Sequence, residues 1–246
     1  MKLLNEFAIQ LYSVRDVTEN DFIGTLEKLG SKGFGYTGVE FAGFGGIPAD
    51  EMKKALEDNG LNAIASHTPL ERLLNNLDEE IAYHKIIGAE YIICPWADMT
   101  NKADTLELAH KLVPVAEKVT AAGLKFGYHN HAHEFTVDDG EYLLDILFEN
   151  LPAGTIMELD IYWSEYADIN SLEYMEKHKN RLELLHVKQI GEGKRNAEVD
   201  KGFIDFEDVI KRAQQMGVKH FILEQEEYED SSMASAENAV KYIFSL

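Results

Sequence analysis

Eight short β-rich runs, each followed by a helical pattern, recur along the chain, and this alternation constrains the fold more than any other feature. The runs are FAIQLYS (7–13), TGVEFA (37–42), NAIASH (62–67), EYIICPW (90–96), LKFGYHNH (124–131), TIMELDIY (155–162), LELLHVKQ (182–189) and HFILEQE (220–226). Between them lie segments such as DFIGTLEKLGSKG, TLELAHKLVPVAEKVTAAG and DFEDVIKRAQQMG, with apolar residues at i, i+3 and i+4 and glycine stops at Gly60, Gly123 and Gly217. Taking Leu11, Glu40, Ser66, Cys94, Asn130, Asp160, Lys188 and Glu224 as strand ends gives steps of 26–36 residues. Eight such units make a (β/α)8 barrel of about 250 residues, and this chain has 246. A doubly wound open sheet rarely needs eight strands without a second domain. No linker or low-complexity tract interrupts the alternation, so residues 1–246 read as one domain.

Charge narrows the partners. With 23 Lys and Arg against 44 Asp and Glu, the net charge is −21, which repels phosphate backbones and anionic membranes. Nucleic acid and membrane are therefore not expected as partners, and a homo-oligomer is left open. No apolar run approaches the ~18 residues of a membrane span. The N-terminal MKLLNEFAIQL lacks a signal-peptide pattern, and the single Cys94 cannot form an internal disulfide. The expectation is a cytoplasmic protein.

In such a barrel the chemistry sits where the strands end, because the βα loops converge there. The fifth run carries a knot of imidazoles, YHNHAHEF. Alternation puts His129 and His131 on one face and Tyr128 and Asn130 on the other. The sixth run places Glu158 and Asp160 on one face, the seventh His186 and Lys188, and the eighth Glu224 and Glu226. Ionised carboxylates facing a core are costly unless paired or bound to metal. Four consecutive strands ending in His129, Asp160, His186 and Glu224 supply two imidazoles and two carboxylates, a donor set suited to one divalent transition ion. Mn, Co or Zn fits two imidazoles better than Mg does. His131 is expected to line a pocket, where it would hydrogen-bond substrate or carry a proton at neutral pH. Glu158 should contact a cation, either the ion or Lys188. Beyond the strand end, His133 and Glu134 read as a solvated loop.

The earlier strands offer further rim residues for substrate: Tyr12, Glu40, His67 and Trp96, joined by Trp163 and by Arg195 from the polar segment GEGKRNAEVDKG (191–202). That segment reads equally as a lid or as a plain exposed loop. Trp96 and Trp163 suit packing as well as a sugar-stacking wall, and Cys94 reads as inert core. GFGYTG (33–38) matches G-x-G-x-x-G, yet it follows a helix and opens a strand, the reverse of a dinucleotide fingerprint. It is a turn. AGFGG (42–46) reads as a flexible loop.

Taken together, IQLYSVRD, GYHNHAHEF, ELDIYW, LLHVKQ and LEQE resemble the sugar phosphate isomerase/epimerase group of the xylose-isomerase-like TIM-barrel superfamily, over nearly the whole chain. The resemblance implies a divalent ion on ligands from strands five to eight, at positions matching His129, Asp160, His186 and Glu224. Ketose epimerases of the superfamily use glutamates at both the strand-five and the strand-eight ligand positions. Here His129 replaces the first, so a symmetric two-glutamate epimerisation does not follow. Endonuclease IV shares the barrel, but the −21 charge argues against DNA.

The expected function is a metal-dependent isomerase or epimerase acting on a small sugar or keto-sugar, free or phosphorylated, through an enediolate. Glu224 and Glu158 are the candidate bases, and Lys188 would neutralise an oxyanion or protonate a leaving hydroxyl. The alternative is a dehydratase of a keto-sugar or keto-inositol, similar to inosose dehydratase, built from the same parts.

Overall fold

The computed structural model describes residues 3–246. Its eight barrel strands are β1 (Ala8–Gln10), β2 (Gly38–Phe41), β3 (Asn62–His67), β4 (Tyr91–Cys94), β5 (Lys125–His129), β6 (Ile156–Asp160), β7 (Leu182–Val187) and β8 (His220–Leu223). Neighbours pair in parallel in chain order, and β1 closes on β8. Each expected run holds one strand; NAIASH (62–67) is strand throughout, and the others are shorter by a few residues because the chain turns into its loop as pairing ends. Among the described residues, no helix is long and apolar enough to cross a membrane.

Local chemistry sets the helix ends. Asp21, Asn101, Asp205 and Ser231 each accept a backbone N–H at a helix start, and Gly60 and Gly217 close helices in the left-handed conformation. The 33–38 glycines form the expected turn into β2.

Period-two alternation explains how the interior is layered. Ala8, Ile64, Tyr91, Ile93, Ile156, Leu184 and Ile222 form an apolar plug inside the barrel, apart from the larger core between strands and helices. Gly127 belongs to that layer, since a Cβ there would lie 2.6 Å from the Cδ1 atoms of both Ile93 and Ile156. Two residues further along each strand the same inward face turns polar: Ile156 is followed by Glu158, Leu184 by His186, Gly127 by His129 and Gly38 by Glu40. All four polar residues are buried. The barrel thus carries an ionisable floor above an apolar plug.

Candidate active site

Backbone register brings the four expected donors together. His129 sits beside Glu158, and Asp160 beside His186. His129 Nε2 lies 3.6 Å from Asp160 Oδ2 and 3.8 Å from Glu224 Oε2. His186 Nδ1 lies 3.9 Å from Asp160 Oδ2 and 2.6 Å from Glu224 Oε2. One ligand atom from each of the four residues lies within 4.8 Å of every other. A tetrahedral ion with bonds of about 2.0–2.2 Å holds its donors roughly 3.3–3.6 Å apart, so small rotations suffice to close the set.

The surroundings prepare these atoms for a cation. His129 Nδ1–H donates to the Pro95 carbonyl at 3.2 Å, which leaves the Nε2 lone pair facing the cluster. Asp160 caps the helix Ile161–Tyr166 through Oδ1, which accepts from Tyr162 N at 2.9 Å, so Oδ2 is the free oxygen. His129 Nε2 and Asp160 Oδ2 are buried without a hydrogen-bond partner. On the far side of His186, Nε2–H donates to Glu40 Oε2 at 2.8 Å, an arrangement that fixes the ring and directs Nδ1 inward. Orphaned buried atoms of this kind are costly unless something fills the space between them. The residues fit a divalent ion.

Beneath the donors lies a second polar ring. His67 Nε2–H donates to Glu158 Oε2 at 2.8 Å and lies 3.5 Å from Glu40 Oε1. Glu158 Oε1 stands 3.3 Å from His186 Nε2 without hydrogen-bond geometry. The imidazoles of His67 and His186 are thus the neighbours of Glu158, and Lys188 is not among them; with His67, His129 and His186, Glu158 also forms a second group of potential metal donors lying within 4.8 Å of one another. Lys188 leans the other way, onto Glu226, with Glu224 at 3.6 Å and Asp160 at 3.7 Å. It is boxed by the rings of Tyr162 and Trp163 at 5.1 and 5.0 Å.

Charge in this floor follows from burial set against neighbours. Burial raises the pKa of Glu158, but His186 and His67 outweigh it and hold the carboxyl well below its usual range. Glu40 moves up, from burial and the repulsion of Glu158. Burial opposes charge on His186, yet Glu158 and Glu40 raise it well above the ordinary histidine value. Burial likewise disfavours the Lys188 ammonium, but Glu224, Asp160 and Glu226 keep it protonated. Glu224 is pushed up by burial and pulled further down by Lys188 and His186. Glu226 is raised, because burial outweighs Lys188.

Above the floor opens a cavity of about 550 Å3, lined by Tyr12, His67, Trp96, His129, His131, Trp163, Glu224 and Glu226, with Ala42, Gly43, Pro69, Arg72 and Pro95 completing its wall. Five of the expected substrate residues thus meet in one place. Trp96 and Trp163 are wall residues here, and Trp96 is half exposed. Glu40 lies below the cavity, in the ring under His186. Arg195 stands outside it, donating to Glu227 Oε2 at 2.9 Å. Its segment is built rather than loose: Gln189–Ile190 pairs antiparallel with Asn196–Ala197, and Tyr162 Oη–H donates to Lys194 O.

Three expectations change. Glu134 is fully buried, accepting from His131 N at 2.8 Å and Tyr128 Oη at 3.0 Å, because the loop after β5 needs an acceptor for those donors. His131 is held neutral, since burial and the neighbouring His129 pull its pKa down to about 2. Its ring nitrogen Nδ1 is buried without a partner, and it gains no proton near neutral pH. Glu226, given no role beyond sharing a face with Glu224, reaches the cavity. The two-residue step in LEQEE was its only sequence signal. Arg72 had none, lying in the helix Leu70–Asn75.

The family model for the xylose isomerase-like TIM barrel matches residues 28–245. The chain belongs to this family. Among solved structures, a sugar phosphate isomerase/epimerase from Parabacteroides distasonis ATCC 8503 superposes with a TM-score of 0.83 at 24% identity, covering 96% of this chain and 92% of that one. The probable 3-DHS dehydratase AsbF involved in petrobactin synthesis from Bacillus anthracis gives 0.74 at 10% identity, over 97% and 98%. The IolI protein with a binding zinc atom gives 0.76 at 12% identity, over 98% of each chain. At these identities the likeness is one of fold. No protein of curated function matches the sequence.

Proposed function

We propose that this protein is a divalent-metal-dependent isomerase or epimerase of a small sugar or keto-sugar, working through an enediolate. The observation that carries the reading is the pair of unpartnered buried atoms, His129 Nε2 and Asp160 Oδ2, 3.6 Å apart, beside an open, ring-walled cavity that His129 lines. His129, Asp160, His186 and Glu224 would hold the ion, with Mn, Co or Zn ahead of Mg for two imidazoles. Bound there, it would polarise a carbonyl and an adjacent hydroxyl and so acidify the carbon between them.

The chain's own groups divide the remaining work. Glu224 and Glu226 present carboxylates to the cavity, and Glu226, with its raised pKa, is the better matched to taking a proton near neutral pH. His67 faces the cavity from the opposite side of the floor, with Glu158 behind it as orienting acceptor. Glu158 thereby acts through His67 and His186 rather than on substrate. Burial disfavours charge on His67, but Glu40 and Glu158 outweigh it and raise its pKa, so it can return a proton. Lys188, firmly protonated, balances negative charge developing beside Glu224 and does not serve as the acid. Dehydration of a keto-sugar is the second reading, favoured by having a proton donor, His67, distinct from the carboxylate base.

Incubation of metal-loaded protein with a keto-sugar panel in D2O tests this. Deuterium at the carbon next to the carbonyl, lost in the Glu226→Gln variant, is the expected result. Retained carbon-bound hydrogen across the panel would sink the enolisation, and release of water instead of an isomer would select the dehydratase.

A further inference from the structure

The cavity's electrostatics and its outer wall bear on which sugar it takes, an inference that rests on the reading of the site as one for sugars. The cations near the cavity are held by partners, most of them carboxylates; Arg15, 4.2 Å over the Tyr12 ring, instead donates to Tyr12 O and Tyr228 Oη. Arg72 donates through Nε to the buried Glu80 and lies 3.5 Å from Glu79. Lys188 is enclosed by Glu226, Glu224 and Asp160. Arg195, Lys194 and Lys201 on the neighbouring segment pair with Glu227, Asp168 and Glu229. Against them stand the cavity's own carboxylates, Glu224 and Glu226. A phosphoryl group needs unspent Arg, Lys or backbone N–H donors, and two negative charges placed beside these carboxylates meet repulsion.

What the cavity does offer is polar atoms without partners. Trp163 Nε1–H and His131 Nδ1 are buried and unpaired. These are an indole donor and an imidazole nitrogen, suited to sugar hydroxyls. Further out the wall is aromatic: Trp96 is 51% exposed and Tyr12 44%. Trp96 stands several ring contacts away from the donors, since its ring meets His133 at 5.9 Å, His133 meets His131 at 6.3 Å, and His131 meets His129 at 5.0 Å. A cavity of about 550 Å3 is mid-range for sites that enclose a drug-sized ligand, larger than one hexose fills. An exposed indole at its edge is a stacking platform for an apolar sugar face.

We propose that the substrate is an uncharged sugar carrying a second ring, one ring over His129 and Glu224 and the other stacked on Trp96, and that a sugar phosphate is not accepted. The Trp163 and His131 nitrogens bond hydroxyls of the inner ring.

Calorimetric titration of the metal-loaded protein with a hexose, its 6-phosphate and its disaccharide, in the gluco, galacto and manno series, tests this without turnover. In the series that binds, the disaccharide is expected at least tenfold tighter than the hexose, and the 6-phosphate weaker than either. Trp96→Ala, at a half-exposed position that leaves the core intact, should cost the disaccharide at least tenfold and the hexose less than threefold. A 6-phosphate that binds tightest, or an equal loss for both sugars in Trp96→Ala, overturns the proposal and leaves the metal-dependent isomerase standing. Absence of binding by every sugar overturns both.

Discussion

His129 Nε2 faces Asp160 Oδ2 across 3.6 Å, and each is buried without a hydrogen-bond partner. These two atoms are the observation on which the proposed cation site rests. Elemental analysis of protein grown with Mn, Co and Zn should find close to one divalent ion per chain. His129→Ala should lose it, and His186→Ala likewise. Full metal retention in both variants refutes the assignment.

Glu40 offers a separate test of how His186 is held. It accepts the Nε2 proton of His186 at 2.8 Å from a position that lines no part of the cavity. Outer-shell carboxylates of this type are worth about 10–100-fold in metal affinity. Glu40→Gln should weaken metal binding by that factor in a competition titration with a chelator. Unchanged affinity would show that His186 needs no orienting partner.

The imidazoles after β5 should separate by role. His131→Ala is expected to keep the metal and lower turnover, because its ring stands 5.0 Å from that of His129 and 5.1 Å from Trp163 at the cavity wall. His133, which donates through Nε2–H to Ala97 O at 3.0 Å, should matter little. Metal lost from His131→Ala but kept by His129→Ala would invert the assignment.

A pH effect on stability is expected away from the site. His84 is buried, donating through Nδ1–H to Glu80 O at 2.6 Å and accepting from Ser66 Oγ at 2.6 Å. Burial lowers its pKa from 6.5 to about 4. The unfolded chain therefore takes up a proton first as pH falls. The stability held above pH 6.5 declines between 6.5 and about 4, by about 3 kcal/mol at most, and this contribution is flat below. Denaturant titrations should show a shallower loss over that window in His84→Gln than in the parent chain. Identical slopes would contradict the assignment.

Much of this was legible in order of residues alone. Eight strands, their inward faces and the gathering of His129, Asp160, His186 and Glu224 at one end of the barrel follow from period-two alternation and the rule that barrel chemistry gathers at strand ends. A strand's inward face is a local property, because each side chain's direction is set by its own backbone. Which inward groups touch is not local. Glu158 meets His67 across the barrel instead of Lys188, Glu40 sits under His186, and Glu134 folds back beneath its own loop. Those pairings depend on relative depth, set by strand stagger and by register shifts at Val39/Glu40 and Met157/Glu158. Only closure of the barrel decides them, because it alone fixes how far each strand slides against its neighbours. The pKa pattern follows from the same source, since burial and the distance to a counter-charge exist only once the ring has closed.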